Sequence, residues 1–225
     1  MIDHITPRII EAYVGEYASG KSENAVNRAM DLCAQGLPVS LADLDTVEPV
    51  YTLRPLKDQL SQLGIHMIAW DTRDTTGLGE AGNVLQPAMR WAMIRPGNII
   101  MDVGYGVHGA EIFNLIEGAW ESPFLQIICV INMSRPMTQN VEMVVEYIRN
   151  LGRVDAILNN THLDDETTVE IVQAGARKVH EAAGILGIPM IATSAVESIA
   201  KEIGPVDCMG HEVRSLKRLM PGAFW

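Results

Sequence analysis

Two rhythms of apolar residues alternate along this chain. Short, nearly unbroken apolar runs are followed by stretches in which apolar residues recur every three or four positions, the marks of buried strands and of amphipathic helices. The run Arg8 to Val14 predicts a strand, and a helix is expected from Glu23 to Gln35, stopped by Gly36 and Pro38. Pro38 to Ala42 reads as a second strand that runs into Asp43-Leu44-Asp45, and an amphipathic stretch from Leu56 to Leu63 ends at Gly64. Ile65 to Trp70 is a third, short strand. The polar, glycine-bearing span Asp71 to Asn83 reads as a long surface loop, and Val84 to Ile94 as a helix with Pro87 in its first turn.

The second half repeats the alternation. Asn98 to Val103 is a buried-type strand leading into Gly104-Tyr105-Gly106, with a helix near Gly109 to Gly118. Leu125 to Asn132 and Asp155 to Asn159 are further strands, separated by a helix over Val141 to Leu151. Glu166 to Leu186 predicts a long helix capped by Asp164 or Asp165, and Pro189 to Thr193 the last strand. The whole predicts an α/β fold with a mostly parallel sheet, helices on both faces, and a ligand crevice at the carboxyl ends of the strands. No internal repeat, low-complexity tract or linker interrupts it, so residues 1 to 225 are expected to form one domain.

Charge sharpens this picture. A net charge of −11 argues against a broad nucleic-acid or anionic-membrane surface, since both need clustered Lys and Arg. The apolar runs are too short to span a bilayer, and Met1 to Arg8 lacks the basic-then-apolar order of a secretory signal; a cytoplasmic location is expected. Cys33, Cys129 and Cys208 are far apart with no C-x-x-C pair, and the histidines, His4, His66, His108, His162, His180 and His211, include no i, i+4 pair. Neither set predicts a metal site. An acidic chain that holds a polyphosphate must therefore concentrate positive potential locally.

One loop does so. Gly15-Glu16-Tyr17-Ala18-Ser19-Gly20-Lys21-Ser22 fits G-x-x-x-x-G-K-[ST] between a predicted strand and a predicted helix, the setting a P-loop requires. Its glycines let backbone N–H groups close around phosphates. Lys21 neutralises the β- and γ-oxygens, and the Ser22 hydroxyl can ligate Mg²⁺. A nucleoside triphosphate, ATP with magnesium, is the expected ligand. Asp102, closing an apolar strand, suits the Walker B acid that holds the metal, while Asp43 and Asp45 reach the same edge on one face if the chain stays extended; either can orient water, and Asp43 can touch the metal shell. Gly104 and Gly106 would let a switch loop turn near the γ-phosphate.

The segments YVGEYASGKS, LADLD, IIMDVGYGVHGAEIF, ICVINMSRP, ILNNTHLDDETT and GIPMIATS, in this order, resemble the MinD/ParA/cobyrinic acid diamide synthase-like P-loop NTPases over nearly the whole chain. The resemblance implies a mainly parallel sheet, ATP and Mg²⁺ as ligands, and a nucleotide-dependent homodimer or an ATP-driven assembly and maturation factor. It carries over the P-loop residues Gly15, Gly20, Lys21 and Ser22, the acids Asp43 and Asp45, and the Walker B acid Asp102. It also implies that Asn160 reads the adenine, although Asn159 or Asn160 can equally turn the chain ahead of Asp164. MinD and ParA relatives carry a second lysine early in the loop where this chain has Glu16 and Tyr17, so it reads as a divergent branch.

The leading expectation is an ATPase that switches conformation to act on a protein or cofactor partner, with Lys21 and either Asp43 or Asp45 in the chemistry. A second is a synthetase or kinase activating a small carboxylate, its acceptor bound near Arg73, Arg90 and Arg95. A third is a sensor that binds nucleotide without appreciable turnover. A carboxylate at position 16 facing a polyphosphate would be unfavourable, so Glu16→Lys is expected to tighten ATP binding.

Overall fold

The computed structural model describes residues 8–45, 53–69 and 87–220. In chain order these form β1 (Ile10–Gly15), α1 (Lys21–Ala34), β2 (Val39–Leu44), α2 (Lys57–Gln62), β3 (His66–Ile68), α3 (Pro87–Arg90), β4 (Asn98–Val103), α4 (Gly106–Ala110), β5 (Leu125–Ile131), α5 (Val141–Leu151), β6 (Ala156–Asn159), α6 (Val169–Leu186), β7 (Met190–Val196), α7 (Glu197–Ile203) and β8 (Glu212–Leu216). The strands make one eight-stranded sheet in the order β3-β2-β4-β1-β5-β6-β7-β8, every pairing parallel. Parallel neighbours require crossovers, and the helices that supply them cover both faces.

Alternate residues of the central strands feed opposite cores, as the two-residue period of a strand demands. Ala12, Val14, Met101 and Cys129 face a core closed by α5 and α6 through Val144, Ile148, Ala176 and Val179. Tyr13, Ile100, Ile128 and Val130 face the other, closed by α1 and α2 through Ala25, Ala29, Leu32 and Leu60. Burying each large aliphatic side chain contributes roughly 1.5–3 kcal/mol, so the six wholly buried residues of β1 fix the strand that launches the P-loop at the centre of the sheet.

Several predicted boundaries move. The helix expected over Gly109 to Gly118 is instead α4, continued by a 3₁₀ segment over Glu111–Leu115; the tighter winding lets Ile112, Phe113 and Ile116 all reach the core. The long helix begins at Val169, capped by the Thr168 hydroxyl accepting from Ile171 N at 3.4 Å, because Asp164–Glu166 forms a separate 3₁₀ turn. Asp164 and Asp165 are therefore not its caps. Within Val84 to Ile94 the described part is α3 followed by a 3₁₀ turn over Ala92–Ile94, while the loop over 71–83, with Arg73, lies outside the described residues. The elements α7 and β8 were not expected, and β7 runs to Val196. Among the described residues no helix is long and apolar enough to cross a membrane.

Candidate functional site

The loop Gly15 to Ser22 joins the end of β1 to the start of α1, at the carboxyl edge of the sheet. A side chain at Gly15, whose φ is +153°, would stand 2.5 Å from the Val130 carbonyl oxygen of β5, so the strand pair approaches there as only glycine permits. Ala18 and Gly20 are left-handed, with φ of 52° and 92°, and Ser19 N donates to Glu16 O at 3.2 Å. These turns wrap the loop over itself and leave the first N–H groups of α1 without a side-chain cap, since Gly20 supplies none.

Lys21 is buried and donates to the Glu16 carbonyl at 3.0 Å. Burial pulls its pKa down, while Asp102 and Asp45 pull it back up. The register of β2 against β4 sets Asp43 beside Asp102, on strands about 4.8 Å apart. Both are enclosed. Burial and then the Asp45 carboxylate push Asp43 up to about 7, and burial and then the Asp43 carboxylate push Asp102 up to about 8. Asp43 accepts from Asp45 N at 3.3 Å and Leu53 N at 3.2 Å, whereas Asp102 receives a hydrogen bond from the Ser22 hydroxyl and keeps its Oδ1 buried without a partner among the described residues.

That donor set fits a hard divalent cation. A buried carboxylate oxygen without a hydrogen-bond donor, a second acid alongside and a serine hydroxyl between them and the loop are the oxygen ligands Mg²⁺ uses together with phosphate oxygens. Ser22 and Asp102, with Asp43 beside them, would hold it. The structure thus brings together Lys21, Ser22, Asp43, Asp45 and Asp102, which lie on three separate segments of the sequence.

Glu16 does not face the loop's interior. Its carboxylate turns away and accepts from Met137 N at 3.0 Å, with Thr138 Oγ1 at 3.2 Å, so the P-loop is tied to the turn after β5. Burial pushes its pKa up. On the other side Asn160 donates its amide to Ser19 O at 2.8 Å, which holds the P-loop to the end of β6 and leaves the Asn160 oxygen as its acceptor. Tyr17 is half exposed and packs edge-on against Tyr105, ring centroids 5.6 Å apart, at the head of α4.

Beyond Asn160 lies a narrow cleft, partly open to solvent and lined by Glu23, Asn160, His162, Asp164, Ser194 and Arg218 among others. Arg218 bridges to Asp164 at 2.9 Å; burial pushes His162 down to about 4, so its ring is neutral at physiological pH. Glu23 accepts from Leu219 N at 2.7 Å and Met220 N at 3.0 Å, clasping the segment after β8 to α1.

Sequence reasoning passed over Asn132, Arg135, Thr138, Asp164 as a cleft residue, and Glu23. Asn132 carried a usable signal, a polar residue ending an apolar strand one place from the P-loop strand; it accepts from Ser134 N at 3.0 Å and His162 N at 3.2 Å. Arg90 and Arg95 are absent from the site. Both precede β4, whose six residues put them about 20 Å from its carboxyl end, and Arg90 faces Glu117 while Arg95 contacts His66.

No family model matches the chain, and no curated protein matches it in sequence. Solved structures do match. The cell division protein FtsY of Thermotoga maritima superposes with a TM-score of 0.61 at 17% identity, covering 98% of this chain and 68% of that one. The signal recognition particle receptor FtsY of Elizabethkingia anophelis, solved with GDP, gives 0.58 at 16%, covering 86% and 58%. The 54 kDa signal recognition particle protein of Aeropyrum pernix, also with GDP, gives 0.53 at 20%, covering 84% and 42%. This chain thus spans less than two thirds of the length of several of these proteins. At such identities the likeness is one of fold, and the fold is the parallel α/β fold of P-loop NTPases.

Proposed function

We propose that this chain is a magnesium-dependent purine nucleoside triphosphatase that acts as a nucleotide-dependent switch on a protein or cofactor partner, in the cytoplasm and as a homodimer. The observation that carries the reading is the meeting of Lys21 and Ser22 with Asp102, whose buried Oδ1 lacks a partner among the described residues. The cation itself, or a metal-bound water donating to that carboxylate oxygen, would relieve it. Catalysis then rests on position and charge: backbone N–H groups and Lys21 hold the phosphates, and Asp43 or Asp45 orients the attacking water. Bound Mg²⁺ would neutralise charge on the β- and γ-oxygens.

The resemblance to MinD and ParA names ATP, with Asn160 accepting from the adenine amine. A specific feature favours a second reading, GTP. Asp164 lines the cleft next to Asn160, and an ionised carboxylate, an acceptor only, suits the N1–H and amino donors of guanine and repels the N1 lone pair of adenine. The similar structures solved with GDP and FlhF solved in complex with GTP and Mg²⁺ (TM-score 0.50, 12% identity, 83% of this chain and 65% of that one) are consistent with it.

The test is binding of ATP and GTP by wild-type protein and Lys21→Ala, with and without Mg²⁺, alongside phosphate release and light scattering. Binding and turnover lost together in Lys21→Ala support the reading, and the tighter nucleotide settles the base. Binding without turnover would make the chain a sensor. Failure to bind either nucleotide would leave only the fold.

A further inference from the structure

We propose that Arg135 is the second cationic ligand of the polyphosphate, reaching the phosphate mouth from the turn after β5. The inference rests on reading the P-loop as a nucleotide site. This loop carries a single cation, Lys21, and an acid at position 16, so protein charge beyond Lys21 and the metal would come from a neighbouring segment.

The turn after β5 is built against that loop. Arg135 N donates to Asn132 O at 3.0 Å and Thr138 N to Arg135 O at 3.1 Å, closing a compact turn, and Met137 N and Thr138 Oγ1 fasten it to Glu16. The Arg135 side chain is half-buried, its Nε enclosed and without a hydrogen-bond partner among the described residues. Its charge is felt both by Glu16 and by His162, which places the guanidinium between the P-loop and the segment after β6. Arginine stays charged at any relevant pH and presents a planar fork suited to phosphate oxygens.

Other arginines at this edge serve carboxylates. Arg218 pairs with Asp164 and Asp165, and Arg54, whose Nε is also enclosed, lends its charge to Asp43 of the acid pair rather than to the P-loop. Arg135 makes no ion pair with any described residue, Glu16 included, although its charge acts on Glu16. A guanidinium held in place, partly stripped of water and not committed to a carboxylate is arranged for an anionic ligand.

The experiment compares the triphosphate that wild-type protein binds more tightly with its diphosphate, in wild type, Arg135→Ala and Arg135→Lys, by titration calorimetry with Mg²⁺. The proposal expects Arg135→Ala to weaken the triphosphate roughly tenfold or more while the diphosphate changes by less than about twofold, with Arg135→Lys recovering part of the loss. Equal weakening of both nucleotides at an unchanged urea midpoint would mean that Arg135 supports the loop, and no weakening of either would mean that it touches no phosphate; either overturns the assignment. Wild-type protein that binds neither nucleotide would overturn the nucleotide reading itself, a distinct result. A destabilised Arg135→Ala is judged through Arg135→Lys, where full retention of the triphosphate preference supports the proposal and its complete loss overturns it.

Discussion

Replacing Glu16 separates what its carboxylate does from what its charge does. The Thr138 hydroxyl has one proton, yet its oxygen lies 2.7 Å from Asn132 O and 3.2 Å from Glu16 Oε2. The shorter contact takes the proton, so the Thr138 oxygen is open to a donor at position 16 while a Glu16 oxygen accepts from Met137 N; burial raises the Glu16 pKa against its hydrogen bonds. Glu16→Gln reproduces both contacts with an amide, and its stability should lie within about 0.5 kcal/mol of wild type. Glu16→Ala removes the acceptor of Met137 N and should cost about 1–3 kcal/mol, or roughly 2–12 °C in midpoint for a protein of this length. Glu16→Lys cannot accept from Met137 N and adds a desolvated cation, so it should destabilise at least as much and weaken nucleotide binding. That reverses the expectation from sequence, which assumed a side chain facing the phosphates. Urea midpoints and nucleotide titrations of the three variants decide it. Glu16→Gln as unstable as Glu16→Ala would show that the ionised carboxylate is needed, and a neutral Glu16→Ala would show that the tie to the β5 turn contributes nothing.

Further outcomes follow from the same geometry. Asp43 and Asp102 rise from 3.8 to about 7 and about 8. Their protonated forms favour the metal-free fold, so this contribution is full below pH 4 and is lost as pH rises through 7 to 8; melting of metal-free protein should fall over that window while Mg²⁺ affinity rises. Asp102→Asn should remove the magnesium dependence of nucleotide binding and, by ending the carboxylate repulsion, raise the metal-free midpoint at pH 8. A Cβ at Gly175 would stand 2.2 Å from Thr161 Oγ1, so Gly175→Ala should cost about 1–3 kcal/mol in urea denaturation by pushing α6 off the segment that carries Asn160.

What was legible in the sequence is what local chemistry dictates. The apolar runs of β1, β4, β5 and β6 are buried from end to end or nearly so, which makes a parallel sheet readable without knowing strand order. β8 escaped because it is an edge strand: Glu212, Arg214 and Ser215 meet solvent at least in part and only Leu216 is buried, so no apolar run or clean alternation announces it. The P-loop was readable because its residues are contiguous, and Asp43 and Asp102 because each ends an apolar strand. That they are neighbours depends on β2 and β4 lying side by side, which periodicity does not encode. Glu16 was misjudged for the same reason, since its partners lie 121 and 122 positions away. Strand order decides both the acid pair and the loop's two ties, to Thr138 on one side and Asn160 on the other. Because β5 and β6 follow β1 in the sheet, a motif complete within eight consecutive residues acquires its orientation from segments more than a hundred residues downstream. Changes in those segments, Thr138 and Asn160 above all, should therefore alter the P-loop without touching its sequence.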